Sequence, residues 1–541
     1  MRENIAPVWM VSREYGDLAG AGGVKDVARQ LAESLATQAG LPLRVALPSY
    51  GFINPQEYGF ALLDEPHYPG RPLEFIVDMN YGSEEREERC RVWWRQADHV
   101  LLYLIEADRF REKHGVYTYT ERDVGPENPV YGRGHYDYFA MNVLLQKSAL
   151  ELMIILGEKP DVIHCHDGHT ALIPALIHQC PGWRSYFRET GCLVTIHNAG
   201  VGYHQEVADL TFAQAISGLP WREITAGRLA GKFDPFLSAG RHAVMNTVSE
   251  NYARELQATD ADVLTDWLGH TLLQNGVRLE GVTNGICPEL FDPGQPERMG
   301  IAAAYSPGDE CDRELSGKKA CKMDLLHTLA ASRAMEGVRQ FGAVQAWPDA
   351  PLFTFVGRLG EQKGVDVLLA AMPNLLRRHA DTQFVILGSG GEEYEGQLKS
   401  LAEEDILRGR VCYLRGYNPQ VANKVYAAGD FFLIPSRYEP CGLTDYIAQL
   451  FGNIPLVRHV GGLVKVLDGE TGLAYDGNTP NNLLSCLKRA LDLYGRRDEM
   501  RRIQTRAVRL IHEQYTWDVV MGQYLRLYRQ AKERRLRHFS S

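Results

Sequence analysis

The chain has 541 residues, of which 45% are hydrophobic and 23% are charged, and its formal net charge is −10. This length is too great for one hydrophobic core and indicates two large domains. The acidic balance argues against a nucleic-acid partner, because no overall positive field attracts a phosphate backbone. It remains compatible with a local basic pocket for a small phosphorylated ligand.

The sequence carries no signal for export or membrane insertion. Residues 1–16 lack a long apolar core and a small-residue cleavage site, so they do not resemble a secretory signal. No run of about 18 apolar residues is apparent, and we therefore expect no membrane partner. The ten cysteines are scattered without a C-x-x-C pair. This pattern is typical of reduced thiols and predicts a cytoplasmic protein.

Short apolar runs alternate with helical patterns in the first half of the chain, which predicts a parallel sheet covered by helices. The clearest helices are expected at residues 25–36 and 138–156. The buried strands are predicted at residues 8–12, 43–48, 100–106, 161–164, 193–197, 243–248 and 280–283.

The alternation stops near residue 290 and resumes near residue 351. We predict a first Rossmann-like domain over residues 1–290 and a linker containing a helix over 291–350. A second doubly wound domain is predicted over 351–515, and a helix over 516–541 either closes that domain or crosses back to the first. The second domain's strands are expected at residues 352–357, 384–388, 411–416, 431–435 and 455–457.

Open sheets of this class bind ligands at the carboxyl ends of their strands. Two such domains face to face would place a ligand in a cleft between them. The first candidate is the Gly-rich turn at residues 19–27. The N–H groups of Gly22 and Gly23 can approach an anion or a sugar closely because glycine has no Cβ. A tight turn without a ligand is the equal alternative.

Two polar segments follow predicted strands of the first domain. HCHDGH places His164, His166 and His169 at a spacing that would suit a metal, although no acidic or thiol cluster completes the set. Asp167 is better interpreted as a sugar contact or as the cap of the following helix. In TIHNAG, His197 stands at a strand's carboxyl end with Asn198 beside it, where its ring could bond a sugar hydroxyl.

The second domain contains the sharper candidates. Arg358 and Lys363 follow a strand and precede a helix, which suits a diphosphate clamp, although two solvated cations are the alternative. Glu439 could bind paired hydroxyl groups, and the N–H groups from Cys441 to Leu443 could hold phosphate or sugar oxygens. In the simpler interpretation, Glu439 only favours a helix N-terminus.

Taken together, these segments resemble the bacterial glycogen synthase and plant starch synthase family. The chain's RLGEQKG is similar to that family's R-L-x-x-Q-K-G, and RYEPCGLT is similar to F-E-P-C-G-L-T. HCHDGH resembles H-A-H-D-W-H, and TIHNAG resembles T-[IV]-H-N-L. NTVSENYARE, VTNGI and PLVRHVGGL also match family segments in the same order.

The resemblance implies a GT-B architecture of two doubly wound α/β domains facing across a cleft. It implies retaining transfer of glucose from the donor ADP-glucose to the non-reducing end of an α-1,4-glucan, without a metal or other cofactor. It also implies roles for particular residues: Arg358 and Lys363 bind the diphosphate, Glu439 is the essential carboxylate, His197 with Asn198 faces the transferred glucose, Asp167 lies in the cleft, Tyr417 stacks on the base, and Thr444 contacts a phosphate.

Four positions depart from the family pattern: Gly20 replaces a lysine, Gly168 a tryptophan, Cys287 an aspartate and Asp445 a glutamine. We expect a nearby cation to replace the missing lysine, with Arg13 favoured over Lys25. The alternatives are a related transferase with another donor or acceptor, a weakly active glucan-binding regulatory paralogue, and a hydrolase with a metal on His164, His166 and His169.

Overall fold

The computed structural model describes residues 7–125 and 130–540, and side chains up to residue 537. The chain divides into two compact units. Unit 1 comprises Met1–Gly285 and Trp517–Ser541, and unit 2 comprises Ile286–Thr516. The chain therefore leaves unit 1, builds unit 2, and returns to unit 1 with its last helix.

The main sheet of unit 1 has ten strands within the described residues. Its central part is parallel, in the order β14-β13-β10-β9-β1-β2-β8, and β7 continues it antiparallel with β3 and β6. Two short pairs, β4 with β5 and β11 with β12, lie outside it. The strands are β1 Val8–Val11, β2 Leu43–Pro48, β3 Ala61–Leu62, β4 Asp64–Glu65, β5 Tyr68–Pro72, β6 Glu74–Asn80, β7 Glu85–Ala97, β8 Val100–Glu106, β9 Val162–His166, β10 Gly191–Ile196, β11 Arg228–Leu229, β12 Lys232–Phe233, β13 Val244–Thr247 and β14 Glu280–Gly281.

The central strands are buried at every position, because helices cover both faces of a parallel sheet. The helices of this part are α1 Val24–Thr37, α2 Asp108–Arg111, α3 Glu121–Val124, α4 Tyr138–Ile155, α5 Ile173–Gln179, α6 Pro181–Tyr186, α7 Leu210–Ser217, α8 Trp221–Ala226, α9 Pro235–Gly240, α10 Glu250–Ala258 and α11 Leu268–Gln274, with a 3₁₀ helix at Asp260–Thr265.

Helix α4 bears on the expectation that no segment crosses a membrane. It has 18 residues and a mean hydropathy of 1.2, so by length and composition it could cross a membrane. However, 78% of it is buried inside the protein. This is the environment of a core helix, which is apolar because side chains surround it.

Unit 2 contains a seven-stranded sheet in the described residues, in the order β15-β18-β17-β16-β19-β20-β21, parallel except for β15. Its strands are β15 Val338–Val344, β16 Leu352–Val356, β17 Gln383–Gly388, β18 Arg410–Gly416, β19 Phe431–Ile434, β20 Ile454–Arg458 and β21 Leu473–Tyr475. Its helices are α12 Pro296–Met299, α13 Ser316–Ala330, α14 Val365–Leu376, α15 Glu392–Glu403, α16 Pro419–Ala428, α17 Thr444–Leu450, α18 Pro480–Tyr494 and α19 Arg497–Leu510, with 3₁₀ turns at Pro288–Phe291, Glu361–Lys363, Asp405–Leu407 and Gly461–Lys465 and a π-helical turn at Ile511–Tyr515.

Residues 291–350, expected to be a linker, are part of unit 2. Leu325 and Leu329 of α13 are fully buried in one of the two apolar clusters that include residues of the unit 2 sheet. Strand β15 adds an antiparallel edge to that sheet. The Pro- and Gly-rich composition that suggests a linker belongs to the loops between these elements.

The last helix, α20 Trp517–Ser540, packs on unit 1. The indole of Trp517 donates a hydrogen bond of 2.8 Å to Gln30 of α1. A Cβ added at Gly191 of β10 would lie 2.4 Å from the Ala531 backbone, so helix and strand are in direct backbone contact. Glycine is required there because any larger residue would separate the two elements.

Candidate active site

Asp167 joins the ends of two neighbouring strands in unit 1. It follows β9, its backbone has the left-handed φ of 59°, and it is buried. Its Oδ1 accepts the N–H of His197 at 2.7 Å and that of Asn198 at 3.4 Å, both just after β10. The structure thus corrects the capping alternative, since α5 begins at Ile173 without a side-chain cap.

The ring of His197 is buried beside the imidazole of His166. Its Nε2 is 2.8 Å from Nδ1 of His166, so one of these nitrogens donates to the other. Burial lowers the pKa of His197 well below its ordinary value and that of His166 to about 4. Both imidazoles are therefore neutral at neutral pH and suit hydrogen bonds to neutral hydroxyl groups. The neighbouring Asn198 accepts the N–H of Gly200 with its side-chain oxygen at 2.8 Å.

The other histidines of the HCHDGH segment are committed to separate partners. His164 bonds Thr195 Oγ1 at 2.7 Å and Tyr528 Oη of α20 at 3.0 Å. His169 stacks on Tyr117 with ring centroids 5.0 Å apart. Over residues 7–125 and 130–540 we find no group of three or more His, Cys, Asp or Glu side chains arranged to hold a metal ion. The three histidines of the hydrolase alternative are therefore not arranged as one metal-binding group in the described residues.

The Gly-rich turn follows β1 and leads into α1. Glu14 Oε2 accepts the N–H groups of Ala21 at 2.8 Å and Gly22 at 3.2 Å. The N–H of Gly22 is therefore already engaged, which argues against its use in ligand binding. For Gly23, the residue before α1, the described residues supply no acceptor to its N–H, and it stays a candidate.

The side chain of Lys25, not that of Arg13, lies beside Gly20, the position of the missing lysine. A Cβ built on Gly20 would lie 2.3 Å from Cδ of Lys25, so the Lys25 side chain already fills the space beside Gly20. Arg13 is buried and committed elsewhere. Its guanidinium donates to three groups: Tyr50 Oη at 3.0 Å, Asn142 Oδ1 at 3.2 Å and the Val116 carbonyl.

In unit 2, Lys363 and Glu439 form an ion pair between two strand ends. Lys363 Nζ lies 2.6 Å from Glu439 Oε2, which also accepts the hydroxyl of Ser436 at 2.8 Å. Burial raises the pKa of Glu439, but Lys363 and Ser436 outweigh it and hold the pKa below its ordinary value. The turn that carries Lys363 is in direct contact with the turn that carries Glu439. A Cβ on Gly364 would lie 1.9 Å from the Pro435 carbonyl oxygen.

Arg358 differs from Lys363 in its surroundings. It is exposed beyond the end of β16, which lies beside β19 in the sheet. Within the part of the chain that the structure describes, its guanidinium has no hydrogen-bond or ion-pair partner. A second predicted position, Tyr417, is 64% exposed after the end of β18. Two strand spacings separate β18 from β16, or about 10 Å.

The segment after Glu439 forms a tight turn that leads into α17. Cys441 is buried, Gly442 adopts the left-handed φ of 77°, and Thr444 is the first residue of α17. Leu443 precedes it and is half-buried. Sequence reasoning missed Lys465, whose ammonium group donates hydrogen bonds to the carbonyls of Cys441 at 2.5 Å and Gly442 at 2.9 Å.

Two family models match the chain, one in each half. The model described as the starch synthase catalytic domain matches residues 7–272. The model described as glycosyl transferases group 1 matches residues 340–507. The unit 1 strand ends at Asp167 and His197 fall within the first match, and the unit 2 positions from Arg358 to Thr444 fall within the second.

Curated relatives are similar over almost the full length of the chain. Glycogen synthase 2 of Geobacter sulfurreducens is 31% identical over 540 residues, which cover 98% of this chain and 99% of the relative. Glycogen synthase of Anaeromyxobacter sp. is 31% identical over 537 residues, which cover 96% of this chain and 98% of the relative.

Two solved structures are similar in fold. The catalytic domain of starch synthase IV from Arabidopsis thaliana, bound to ADP and acarbose, superimposes with a TM-score of 0.77 at 22% identity and covers 98% of this chain and all of that chain. Sucrose-phosphate synthase from Thermosynechococcus elongatus gives a TM-score of 0.52 at 17% identity, with 97% of this chain and 98% of that chain covered. The predicted α/β fold with two sheet-containing domains is confirmed.

Proposed function

The chain belongs to the family of bacterial glycogen synthases and plant starch synthases, and from this premise we propose that it transfers glucose from ADP-glucose to the non-reducing end of an α-1,4-glucan. It is a glycosyltransferase of the GT-B fold, with a nucleotide-sugar donor and a glucan acceptor. The finer assignments to ADP-glucose and to the cytoplasm are part of the proposal.

The observation that carries the proposal is the Lys363–Glu439 pair, 2.6 Å apart at the carboxyl edge of the unit 2 sheet, with the exposed Arg358 between the end of β16 and Lys363. In glucosyl transfer the departing nucleoside diphosphate gains negative charge as the bond to the sugar carbon breaks. Two fixed cations at this edge would stabilise that charge without a metal ion. Tyr417, about two strand spacings along the same edge, would stack on the base.

Glu439 is suited to hold the sugar of the donor. The lowered pKa keeps the carboxylate ionised at neutral pH, so it accepts hydrogen bonds and does not act as an acid. Its Oε2 is used by Lys363 and Ser436. Oε1 accepts no hydrogen bond from the described residues, which leaves it for the hydroxyl groups of the glucosyl residue.

We assign the neutral groups of unit 1 to the transferred glucose. His197 with Asn198 would bond its hydroxyl groups, and Asp167 would hold their backbone in place through the N–H bonds already present. The N–H of Gly23 would serve the donor, and in unit 2 the turn from Cys441 to Thr444 would contact the phosphates. These assignments divide recognition between neutral and charged groups.

Retention of configuration requires either two displacements or attack from the face that the leaving group vacates. Two displacements need a carboxylate free to bond the sugar carbon. Asp167 uses one oxygen on two N–H groups, and burial raises its pKa to about 7, so about half of it is protonated at neutral pH. Glu439 is paired with Lys363. We therefore propose front-face attack guided by the departing phosphate.

A donor screen tests the proposal. The purified protein would be incubated with glycogen and radiolabelled ADP-glucose or UDP-glucose, with the Glu439→Gln variant as the control and a chelator present in a parallel series. We expect incorporation from ADP-glucose that the chelator does not reduce. Incorporation from UDP-glucose alone would establish a different donor. Tight glycogen binding without incorporation from either donor would overturn the proposal in favour of a regulatory glucan-binding role.

A further inference from the structure

A buried cation lies behind the turn that follows Glu439. Lys465 ends the 3₁₀ turn Gly461–Lys465 after β20, and its side chain is 6% exposed. Its Nζ lies 3.1 Å from Oδ2 of Asp445, whose side chain is fully buried. The same ammonium group donates to the carbonyls of Cys441 and Gly442. All three of its polar contacts are thus within the segment 441–445.

These carbonyl contacts determine where the amide hydrogens of the turn point. The described peptide bonds are all trans, so each carbonyl and the N–H of the next residue point in opposite directions across the peptide plane. Because Lys465 binds the carbonyls of Cys441 and Gly442, the N–H groups of Gly442 and Leu443 point away from it. Among residues 7–125 and 130–540, no acceptor takes either N–H.

The position of Lys465 is fixed by close backbone contact. A Cβ on Gly461 would lie 1.9 Å from the carbonyl oxygen of Glu439, and one on Gly462 would lie 2.2 Å from that of Cys441. The N–H of Gly462 also donates to the Glu439 carbonyl at 2.9 Å. Side chains larger than hydrogen at these glycines would lift the Lys465 turn off the Glu439 turn.

We propose that Lys465, held by Asp445, is a positioning residue for donor binding that orients the Gly442 and Leu443 amide groups towards the diphosphate. This inference rests on the proposed function. Asp445 stands where the resembled family has glutamine, so the ion pair is a feature of this chain. The carboxylate of Asp445 balances the buried charge of Lys465. The lysine in turn orients the peptide groups that join Cys441 to Gly442 and Gly442 to Leu443.

The two charges of this pair depend on each other. A buried ammonium group without its carboxylate, or the reverse, carries a large desolvation penalty. Burial raises the pKa of Asp445 to about 6, with Lys465 opposing that rise. Single substitutions will therefore lower stability whatever the role of the pair. A test must separate stability from donor affinity.

The test compares the wild type with Lys465→Met and with the double variant Lys465→Met/Asp445→Gln, which removes both charges together. Binding of ADP and of glycogen would be measured by calorimetry, and thermal unfolding in parallel. We expect both variants to bind ADP about tenfold more weakly, the loss that about 1.4 kcal/mol of hydrogen bonding gives, while glycogen affinity is unchanged. The double variant should recover much of the thermal stability that Lys465→Met loses.

A matched control is a second buried ion pair of unit 2 that lies away from the Glu439 turn, Lys322 with Asp430, whose Nζ and Oδ2 are 2.6 Å apart. The double variant Lys322→Met/Asp430→Asn should change stability but leave ADP affinity as in the wild type. A Lys465→Met/Asp445→Gln protein with wild-type ADP affinity would overturn the inference. A wild type that binds ADP but transfers no glucose would contradict only the proposed function, and one that binds no nucleoside diphosphate would contradict both.

Discussion

The carboxyl edges of the two sheets present different chemistry. In unit 1 the polar groups at the strand ends are buried and bonded to one another, and burial keeps His166 and His197 neutral. In unit 2 the corresponding edge carries an exposed guanidinium, Arg358, and an ion pair of Lys363 with Glu439. The same parallel α/β arrangement thus places buried, neutral imidazoles at the strand ends of one unit and an exposed cation with an ion pair at those of the other.

This difference matches the two parts of a nucleotide-sugar. Neutral imidazole and amide groups bond hydroxyl groups without a large desolvation cost, whereas a diphosphate requires positive charge. Substitutions in unit 2 should therefore affect the rate of transfer strongly, and substitutions in unit 1 should have smaller effects or act through stability.

The largest effect is expected for Glu439→Gln. Removing the carboxylate charge leaves Lys363 without its ionic partner. It also removes the ionised group that would accept hydrogen bonds from the sugar. We expect turnover to fall by about a thousandfold, equivalent to about 4 kcal/mol of transition-state stabilisation. Initial rates with saturating donor measure it, and glycogen binding serves as the control for folding. Normal turnover would restrict Glu439 to a structural role.

The next effect is expected for Lys363→Ala and Arg358→Ala. Each removes one cation from the proposed diphosphate site, and each should lower turnover about a hundredfold, or about 3 kcal/mol. Arg408→Ala is the control, because Arg408 is an exposed, ion-paired cation. It precedes β18 and thus lies at the amino ends of the parallel strands, not at their carboxyl ends. If the two site variants resembled the control, these cations would not belong to the donor site.

A smaller effect, on stability, is expected for Asp167→Asn in unit 1. Burial raises the pKa of Asp167 to about 7, so the folded protein binds this proton more tightly than the unfolded chain. Its contribution to the free energy of unfolding therefore falls by at least about 1 kcal/mol as the pH rises from about 4 to about 7. In the variant, the free energy of unfolding should no longer show this decrease with pH. Urea unfolding at pH 5 and pH 8 measures it. Parallel pH profiles for wild type and variant would contradict the raised pKa.

The smallest effect is expected for Lys25→Met. Because Lys25 fills the space beside Gly20, its loss should raise the Michaelis constant for the donor about threefold, the effect of a partly exposed charge contact worth about 0.7 kcal/mol. Arg13→Met should instead lower the unfolding temperature, since Arg13 is buried among unit 1 side chains. A raised donor constant in Arg13→Met at unchanged stability would reverse this assignment.

The sequence predicts the parallel strands well because their residues are buried on both faces and form continuous apolar runs. Residues 43–48 and 100–106 coincide with β2 and β8. It misses the antiparallel β6 and β7, whose charged residues alternate with apolar ones and lie in exposed positions. A helix is predicted within residues 291–350, where α13 lies, but its bounds are not, because its buried face includes lysines that a pattern of apolar residues does not detect.

For the site, too, the sequence predicts some residues and misses others. Motifs at strand ends identify Lys363 and Glu439, and the order of strands brings them together. Lys465 and Ser436 are not identified, because their roles depend on contacts that only the folded turns create. The left-handed backbone of Asp167, which directs it to the next strand instead of the next helix, is likewise invisible in the sequence. The roles assigned to the site residues stay predictions.

The return of α20 to unit 1 has a consequence for the order of folding during synthesis. A ribosome finishes all of unit 2 before it makes Trp517 and Tyr528, which bond Gln30 of α1 and His164 of β9. Domains generally fold as units from the N-terminus during translation. Unit 1 is an exception, because its sheet face at β10 waits for a partner that emerges more than 300 residues later. The nascent chain therefore carries an unfinished first domain while it completes its second.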